Sequence, residues 1–266
     1  MPLFHLIIIA LIQGVTEFLP VSSSGHLALY PLLSGAPDQG LSLDVAAHVG
    51  TLGAVILYFR HDVAKAVRGT VFLFMGRLEG ADARLALMLI LSSIPLMAAG
   101  VALSVLGLTD MLRSIAVIGW ATIVGGVLLL WADGQEQRKP GDAWTLRDAM
   151  AMGIAQVFAL IPGASRSGVT MTMARWLGYD RTGAARLSML MSIPAIIAAG
   201  GYTGIKLVRA GDLSLGTDAA IALALSFIAA LLALAVMMRM LRTWSMRPFV
   251  FYRFALGAAL LWVAYA

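Results

Sequence analysis

Two short polar segments interrupt long apolar stretches of the sequence, and each contains one charged side chain. Glu17 is the only Asp, Glu, Lys or Arg between positions 1 and 37, and Arg166 is the only one between positions 149 and 174. An ionisable residue in such surroundings is energetically expensive, so it marks a candidate functional site by default. A structural ion pair that locks the two segments together is the competing interpretation.

Glu17 has a dense group of polar neighbours in the sequence. They comprise an amide one helical turn earlier, three hydroxyls, a glycine that lets the backbone approach a ligand, and a histidine that can transfer a proton near neutral pH. These residues are Gln13, Ser22, Ser23, Ser24, Gly25 and His26.

The segment around Arg166 has the residues of an anion site. Ser165, Arg166 and Ser167 precede Gly168 at a predicted helix N-terminus, where free N–H groups and the helix dipole attract anions. The planar guanidinium suits phosphate oxygens. An anchor, hydroxyls, an acid/base group and a carboxylate together indicate phosphoryl transfer from an anionic, membrane-held substrate. The oxygens of Glu17 and Gln13 would suit Mg²⁺ or Ca²⁺ rather than a transition metal.

The composition requires these segments to lie in a membrane. The 266 residues are 60% hydrophobic and 12% charged, with mean hydropathy +0.89. Four stretches without Asp, Glu, Lys or Arg are long enough to cross a hydrocarbon core of about 30 Å, namely 85–109, 114–132, 187–205 and 219–238. The sequence therefore predicts an all-α polytopic integral membrane protein. The absence of cysteine excludes disulfides, thiolate metal sites and thiol catalysis.

Six transmembrane helices and two broken segments are expected. The predicted spans are 42–60, 85–107, 114–132, 187–205, 219–238 and 249–266. Residues 3–33 and 149–177 are each too long for one span and are interrupted by Pro and Gly, which break helices. Both are predicted to be re-entrant helix–loop–helix hairpins whose tips meet near the middle of the membrane, inside the protein.

The two hairpins look related at an offset of 143 residues. Four pairs of identical residues share this offset: Gln13 and Gln156, Ser22 and Ser165, Ser24 and Ser167, and Gly25 and Gly168. The single membrane domain of residues 1–266 is therefore predicted to contain two repeats, about 1–142 and 143–266. A chance similarity between small-residue membrane sequences is the alternative.

Basic residues predict the orientation. With six spans, fifteen of the 19 Lys and Arg residues, Arg175 and Arg253 among them, fall on one side of the membrane. The opposite side has Arg113, Lys206 and Arg209. The positive-inside rule then places both termini outside the cytoplasm, so the hairpins enter from opposite sides, as in many transporters. The net charge of +5 is attributed to cytoplasmic loops, not to a nucleic-acid partner.

The two polar segments carry a specific resemblance. Gln13-x-x-x-Glu17-Phe-Leu-Pro-Val-Ser-Ser-Ser-Gly-His26 and Pro162-Gly-Ala-Ser-Arg-Ser-Gly168 resemble the signature motifs of bacterial undecaprenyl-diphosphate phosphatases of the BacA/UppP type. The resemblance implies a hydrolase of the inner membrane that converts undecaprenyl diphosphate to undecaprenyl phosphate, so that the peptidoglycan lipid carrier is reused. It further implies bacitracin resistance, a divalent cation and a site open to the periplasm.

The resemblance also implies residue roles. Glu17 would be the essential acid, Ser23 the nucleophile or a phosphate ligand, His26 the acid/base group and Arg166 the phosphate clamp. The neighbouring substrate-binding residues would be Gln13, Ser22, Ser24, Gly25, Ser165, Ser167 and Gly168. Many members have Glu where this chain has Gln13, which brings into question any scheme that needs two carboxylates.

Several alternatives stay open at this point. A transporter or flippase of a polyprenyl phosphate is the second functional hypothesis, suggested by the inverted repeat, and a structural membrane scaffold is the third. The oligomeric state is open and includes a homodimer. His48 is expected to pack in the protein rather than to line the site.

Overall fold

The computed structural model describes residues 2–35, 41–109, 111–210 and 216–266; side chains of residues 41–42 and 206–210 are not described. The predicted cations Lys206 and Arg209 thus lie outside the described side chains. The described residues form helices joined by short loops, and none of them belongs to a β-strand. The predicted all-α class is confirmed.

Eleven α-helices are present in the described ranges. In chain order they are α1 Leu3–Thr16, α2 Ser23–Ser34, α3 Leu41–Tyr58, α4 Arg60–Phe74, α5 Ala81–Val105, α6 Ile115–Asp133, α7 Leu146–Gln156, α8 Arg166–Trp176, α9 Arg181–Ala210, α10 Thr217–Met240 and α11 Arg247–Tyr265. Short 3₁₀ turns at Met111–Arg113 and Val157–Leu160 precede α6 and follow α7.

Five of these helices are long and apolar enough to span a membrane: α5, α6, α9, α10 and α11. A sixth span results if α3 and α4, which meet at a bend of 95°, are counted together. The predicted span 42–60 corresponds to α3, which ends at Tyr58 just before the bend into α4. Helix α4 was not predicted, because charged residues such as Lys65 and Arg68 give this segment the hydropathy of a loop.

The two broken segments consist of short helices, as predicted. At about 1.5 Å per residue, the 14 residues of α1 and the 12 of α2 are about 21 and 18 Å long, too short to cross about 30 Å of hydrocarbon. The 11-residue helices α7 and α8 are shorter still. α1 packs on α10, α2 on α6 and α11, and α7 on α5, so full-length helices hold both hairpins.

Small residues let α1, α3 and α10 approach closely. A Cβ atom at Gly50 would lie 2.2 Å from Ser226 Oγ, and one at Gly14 would lie 2.7 Å from the Ser226 carbonyl oxygen. The Ser226 hydroxyl donates a hydrogen bond to the Ala47 carbonyl at 3.0 Å. Such small-residue contacts are typical of packing between membrane helices.

A polar network fixes the base of the second hairpin. Arg175, which is fully buried, donates to the backbone carbonyls of Asp133, Gln135 and Tyr179. The Tyr179 hydroxyl donates to Asp148 at 2.7 Å, and burial together with this contact raises the Tyr179 pKa above its ordinary value. These bonds hold the ends of α7 and α8 in place.

Candidate active site

The tips of the two hairpins meet through one ion pair. Arg166 Nη2, at the start of α8, lies 2.7 Å from Glu17 Oε1, directly after α1. The side chains are 15% and 8% exposed, respectively. The predicted contact between the two broken segments is therefore present, and it joins the two charges that the sequence analysis singled out.

Two residues of the first hairpin hold the second carboxylate oxygen of Glu17. Gln13 Nε2 donates to Oε2 at 2.8 Å, and the Ser23 hydroxyl donates to the same oxygen at 3.3 Å. The carboxylate is thus fixed from three directions. Because the Ser23 proton points at a carboxylate, this serine has a base within hydrogen-bond reach.

Two helices begin at the site with the same unusual geometry. Ser22 and Ser165 are the N-cap residues of α2 and α8, with φ of 76° and 65°. They are the only non-glycine residues with positive φ among those described, and each hydroxyl accepts the N–H of the glycine three positions on, Gly25 or Gly168, at 3.2 Å. Such strained backbone clusters at functional sites. The N-termini of α2 and α8, which are the positive ends of the helix dipoles, therefore both lie at the site.

Two other serines tie the hairpins to each other. The Ser24 hydroxyl accepts the backbone N–H of Gly163 at 2.9 Å, and the Ser167 hydroxyl donates to the Leu19 carbonyl at 2.9 Å. Ser24 and Ser167, which are 143 positions apart, therefore each bond to the backbone of the opposite hairpin, Ser24 as acceptor and Ser167 as donor. Arg166 follows Ser23 by the same offset, so corresponding positions supply a guanidinium and a hydroxyl to Glu17.

A cavity of about 240 Å³ opens between the hairpins. It is smaller than the roughly 300–1,000 Å³ of pockets for drug-sized ligands, so it fits a headgroup rather than a long lipid. The residues that line it are Glu17, Ser23, Ser24, Ala159, Leu160, Pro162, Ser165 and Arg166.

Arg253 of α11 is a buried cation that contacts the loops of both hairpins. It was counted with the cations on one side of the membrane, but its side chain is fully buried inside the bundle. Its guanidinium donates to five backbone carbonyls between 3.0 and 3.3 Å: those of Pro20 in the first loop, Gly163 and Ala164 in the second, and Ala121 and Thr122 in α6.

No carboxylate pairs with Arg253 among the described residues. Its positive charge therefore adds to that of Arg166 and of the two helix N-termini, against the single negative charge of Glu17. The electrostatic balance of the site favours an anion.

Gly25 and Gly168 face α11 rather than the cavity. A Cβ atom at Gly25 would lie 3.3 Å from Leu256, and one at Gly168 would lie 2.8 Å from Arg253 Nη1. Their backbone N–H groups are used by Ser22 and Ser165. Helix packing thus accounts for the absence of a side chain at both positions, and the close ligand approach predicted for Gly25 stays a prediction.

His26 is directed to α11 as well. Its Nδ1 bonds to the Ser22 carbonyl at 2.7 Å, so Nδ1 is the donor, and its Nε2 lies 2.7 Å from the Tyr252 hydroxyl. The two rings stack with centroids 5.4 Å apart. In the described arrangement His26 has no hydrogen bond with Glu17 or Arg166, and its acid/base role stays a prediction.

His48 contacts two residues of the site, although it does not line the cavity between the hairpins. Its Nε2 lies 3.2 Å from Gln13 Nε2 and 3.9 Å from Glu17 Oε2, while Nδ1 bonds to the Asp44 carbonyl at 2.7 Å. Since Nδ1 donates to a carbonyl, Nε2 of the neutral ring accepts the Gln13 N–H. No local motif surrounds His48, so sequence reasoning had no signal for this contact.

The donors around Glu17 allow a weakly held hard cation. Gln13 Oε1 is buried without a hydrogen-bond partner in the described structure, next to the Glu17 carboxylate. No group of three or more His, Asp or Glu residues that could hold a metal occurs in the described ranges. Such a donor set fits Mg²⁺ or Ca²⁺ that takes its remaining ligands from substrate and water.

Comparison with known proteins gives matches over the whole chain. The model of the family described as bacitracin resistance protein BacA matches residues 6–259. A Dinoroseobacter shibae protein named undecaprenyl-diphosphatase is 57% identical over 268 residues, and one of the same name from Jannaschia sp. is 55% identical over 267, each covering 100% of both chains. A third, from Maricaulis maris, is 46% identical over 98% of both chains.

Proposed function

The chain belongs to the BacA family of bacitracin resistance proteins, and we propose that it is a membrane hydrolase that converts undecaprenyl diphosphate to undecaprenyl phosphate and inorganic phosphate. The observation that carries this proposal is the Glu17–Arg166 contact with the Ser23 hydroxyl beside it. This cluster joins a carboxylate, a hydroxyl and a phosphate-binding cation at one cavity. The activity would return the peptidoglycan lipid carrier to use and so confer bacitracin resistance.

Arg166 is proposed to hold the terminal phosphate. Its Nη2 binds Glu17, while its Nη1 is buried without a hydrogen-bond partner among the described residues. The guanidinium can therefore bridge the carboxylate and a phosphate oxygen. The first N–H groups of α2 and α8, which have no intrahelical acceptors, and the charge of Arg253 support the same anion.

The isoprenoid tail of the bound substrate is proposed to extend from the headgroup cavity along the second hairpin. An apolar groove of about 200 Å³ lies beside it, lined by Phe158, Val169, Met173 and Trp176 among others. Phe158 directly precedes Ala159 and Leu160, which line the headgroup cavity. The diphosphate would thus sit between the tips while the first isoprene units contact apolar side chains.

Ser23 is proposed as the nucleophile and Glu17 as its base. The Ser23 oxygen forms a bond to the terminal phosphorus, the bridging P–O bond breaks, and undecaprenyl phosphate leaves with the electron pair. Glu17 accepts the Ser23 proton and passes it to the departing phosphate. Glu17 then takes a proton from water as the water attacks phosphoserine, and that proton returns to the Ser23 oxygen as phosphate departs. Direct attack by water, with Ser23 as a phosphate ligand, is the alternative.

A divalent cation is proposed as the cofactor. Glu17 and the Gln13 amide oxygen would hold it, and when bound it would neutralise charge on the diphosphate. His26 is proposed as a further acid/base group, and its bond to the Ser22 carbonyl also supports the N-cap of α2.

The protein is proposed to lie in the bacterial inner membrane with its termini and cavity on the periplasmic side. The distribution of basic residues supports this orientation even after Arg253 is removed from the count, because fourteen cations still fall on the predicted cytoplasmic side.

Phosphate release by the purified protein in detergent tests the proposal. The full chain should convert undecaprenyl diphosphate to the monophosphate and equimolar phosphate. The relatives described above are named for a diphosphatase, so the transporter or flippase hypothesis is not favoured. A transporter needs two compartments and would release no phosphate in detergent. Light scattering on the same sample measures the oligomeric state, for which a homodimer is one of the open alternatives.

A further inference from the structure

A second cavity lies at the end of the bundle where α3 and α10 terminate. Its volume is about 590 Å³, and it shares no residue with the cavity between the hairpins. The residues that line it are Tyr58, Ala235, Arg239, Arg242 and Thr243. Tyr58 ends α3, Arg239 lies in the last turn of α10, and Arg242 and Thr243 directly follow that helix.

The positive charge of this cavity is not compensated. Neither the Arg239 nor the Arg242 guanidinium has a hydrogen bond or ion pair with any described residue, and no acidic side chain lines the cavity. By contrast, Arg181 and Arg186 at the same end of the bundle hold carboxylates at 2.6 and 2.5 Å. Both arginines are exposed, so water solvates them when no ligand is bound, and their unpaired guanidinium groups can bind an anion in this open cavity.

The available donors match phosphate oxygens. A guanidinium presents a planar fork that binds two oxygens of one phosphate, and hydroxyl groups add single donors. The Thr243 and Tyr58 hydroxyls line the same cavity. No step of the proposed hydrolysis uses these residues, so the inference does not depend on that function.

The surroundings of the cavity indicate a lipid rather than a soluble anion. Ala235 lies within the candidate span of α10 and is exposed, so one wall belongs to the apolar surface of the bundle. Trp244, next to Thr243, is 57% exposed. Exposed Trp at the end of a span is typical of the membrane–water interface, the level at which lipid phosphates lie.

We propose that this cavity is a binding site for the phosphate headgroup of an anionic glycerophospholipid. The phosphate contacts Arg239, Arg242 and the two hydroxyls, and the acyl chains pass Ala235 along α10. Basic pockets between membrane helices on the cytoplasmic side bind such headgroups in general. On the predicted orientation, the site belongs to the cytoplasmic leaflet.

Native mass spectrometry of the full chain, titrated separately with phosphatidylglycerol, phosphatidylcholine and inorganic phosphate, tests this proposal. Wild type should bind the anionic lipid more tightly than the zwitterionic one. Arg239→Gln/Arg242→Gln should weaken anionic-lipid binding roughly 30-fold, as expected for two arginines near a membrane surface. The matched control Arg84→Gln/Arg147→Gln, which removes two exposed cations elsewhere, should change it less than about twofold.

A second variant tests the cavity without changing charge. Ala235→Trp fills the apolar wall and should also weaken anionic-lipid binding, and thermal unfolding verifies that each variant is folded. Equal loss in the control pair, equal affinity for both lipids, or tight binding of inorganic phosphate at the same arginines would each overturn the lipid assignment.

Discussion

Arg166 and Glu17 lie 149 positions apart and meet at 2.7 Å, while Arg166 Nη1 has no hydrogen-bond partner among the described residues. A buried cation that uses only one nitrogen on its carboxylate retains a donor for a second anion. The ion pair compensates two buried charges, and in the proposed mechanism the unpaired nitrogen also positions a phosphate beside Ser23. The sequence alone left a bare structural lock as the alternative, and the free nitrogen and adjoining cavity favour the functional interpretation.

Replacement of Arg166 should distinguish a clamp from a simple counter-ion. Arg166→Ala should reduce kcat by about 10²–10³-fold, the typical effect of removing one donor to transition-state charge, while the protein still inserts into the membrane. Arg166→Lys should rescue poorly, because an ammonium cannot bind Glu17 and a phosphate oxygen through a planar fork. Steady-state phosphate release measures both variants. Near wild-type activity of the Lys variant would remove the clamp assignment.

Arg253→Met should destabilise the junction of the hairpins. The substitution keeps helix propensity and volume but removes the guanidinium donor that five carbonyls share. Gly163 retains the Thr122 hydroxyl as a donor, so the loss falls mainly on Pro20 and Ala164 and costs on the order of 3 kcal/mol. Thermal unfolding in detergent should show a clearly lower midpoint. Arg247→Met, an exposed cation of the same helix, is the matched control and should stay close to wild type. Equal midpoints for the two variants would contradict the bridging role.

Substitutions in the His26–Tyr252 pair should lower kcat to different extents. His26→Ala should lower kcat by about 10²-fold if the imidazole transfers a proton. Tyr252→Phe keeps the stacked ring and removes only the hydroxyl at Nε2, so the loss of one hydrogen bond should cost roughly fivefold. Tyr265→Phe on the same helix controls for tyrosine replacement. A His26→Ala enzyme with wild-type kcat would leave His26 a packing residue only.

The proposed sidedness can be tested with thiol chemistry because the chain has no cysteine. Single Cys replacements at Ser22, Ser24 or His26 introduce one thiol each. A membrane-impermeant thiol reagent added to intact spheroplasts should label some of them, and a diphosphate analogue should protect. Labelling confined to inverted vesicles would reverse the proposed topology.

Local sequence signals predicted much of this arrangement. Charge-free stretches predicted the long helices, and Pro and Gly predicted the breaks between α1 and α2 and between α7 and α8. The contact between Glu17 and Arg166 followed from the prediction that the two hairpin tips, each with one isolated charge, meet near the middle of the membrane.

Contacts without a local signal were not predictable. The acceptors of Arg253 are backbone carbonyls, which every residue has, so its place near the start of the predicted span 249–266 indicated only a cation near the membrane surface. His48 reaches Gln13 only because α3 packs beside α1. The helix α4 was not predicted because its charged residues lower its hydropathy below that of a membrane span.

Substitution of Glu17 tests the central claim most directly. Glu17→Gln keeps the size and the hydrogen-bonding shape of the side chain but removes the base and the charge. Initial rates of phosphate release from undecaprenyl diphosphate by purified protein should fall about 10²–10⁴-fold, as expected for loss of a general base. Gln13→Glu, the matched change one turn earlier, should retain or increase activity because it keeps an oxygen ligand beside Glu17, and the family resemblance implies that Glu is common at this position. A fully active Glu17→Gln enzyme would show that neither proton transfer nor cation binding depends on this carboxylate.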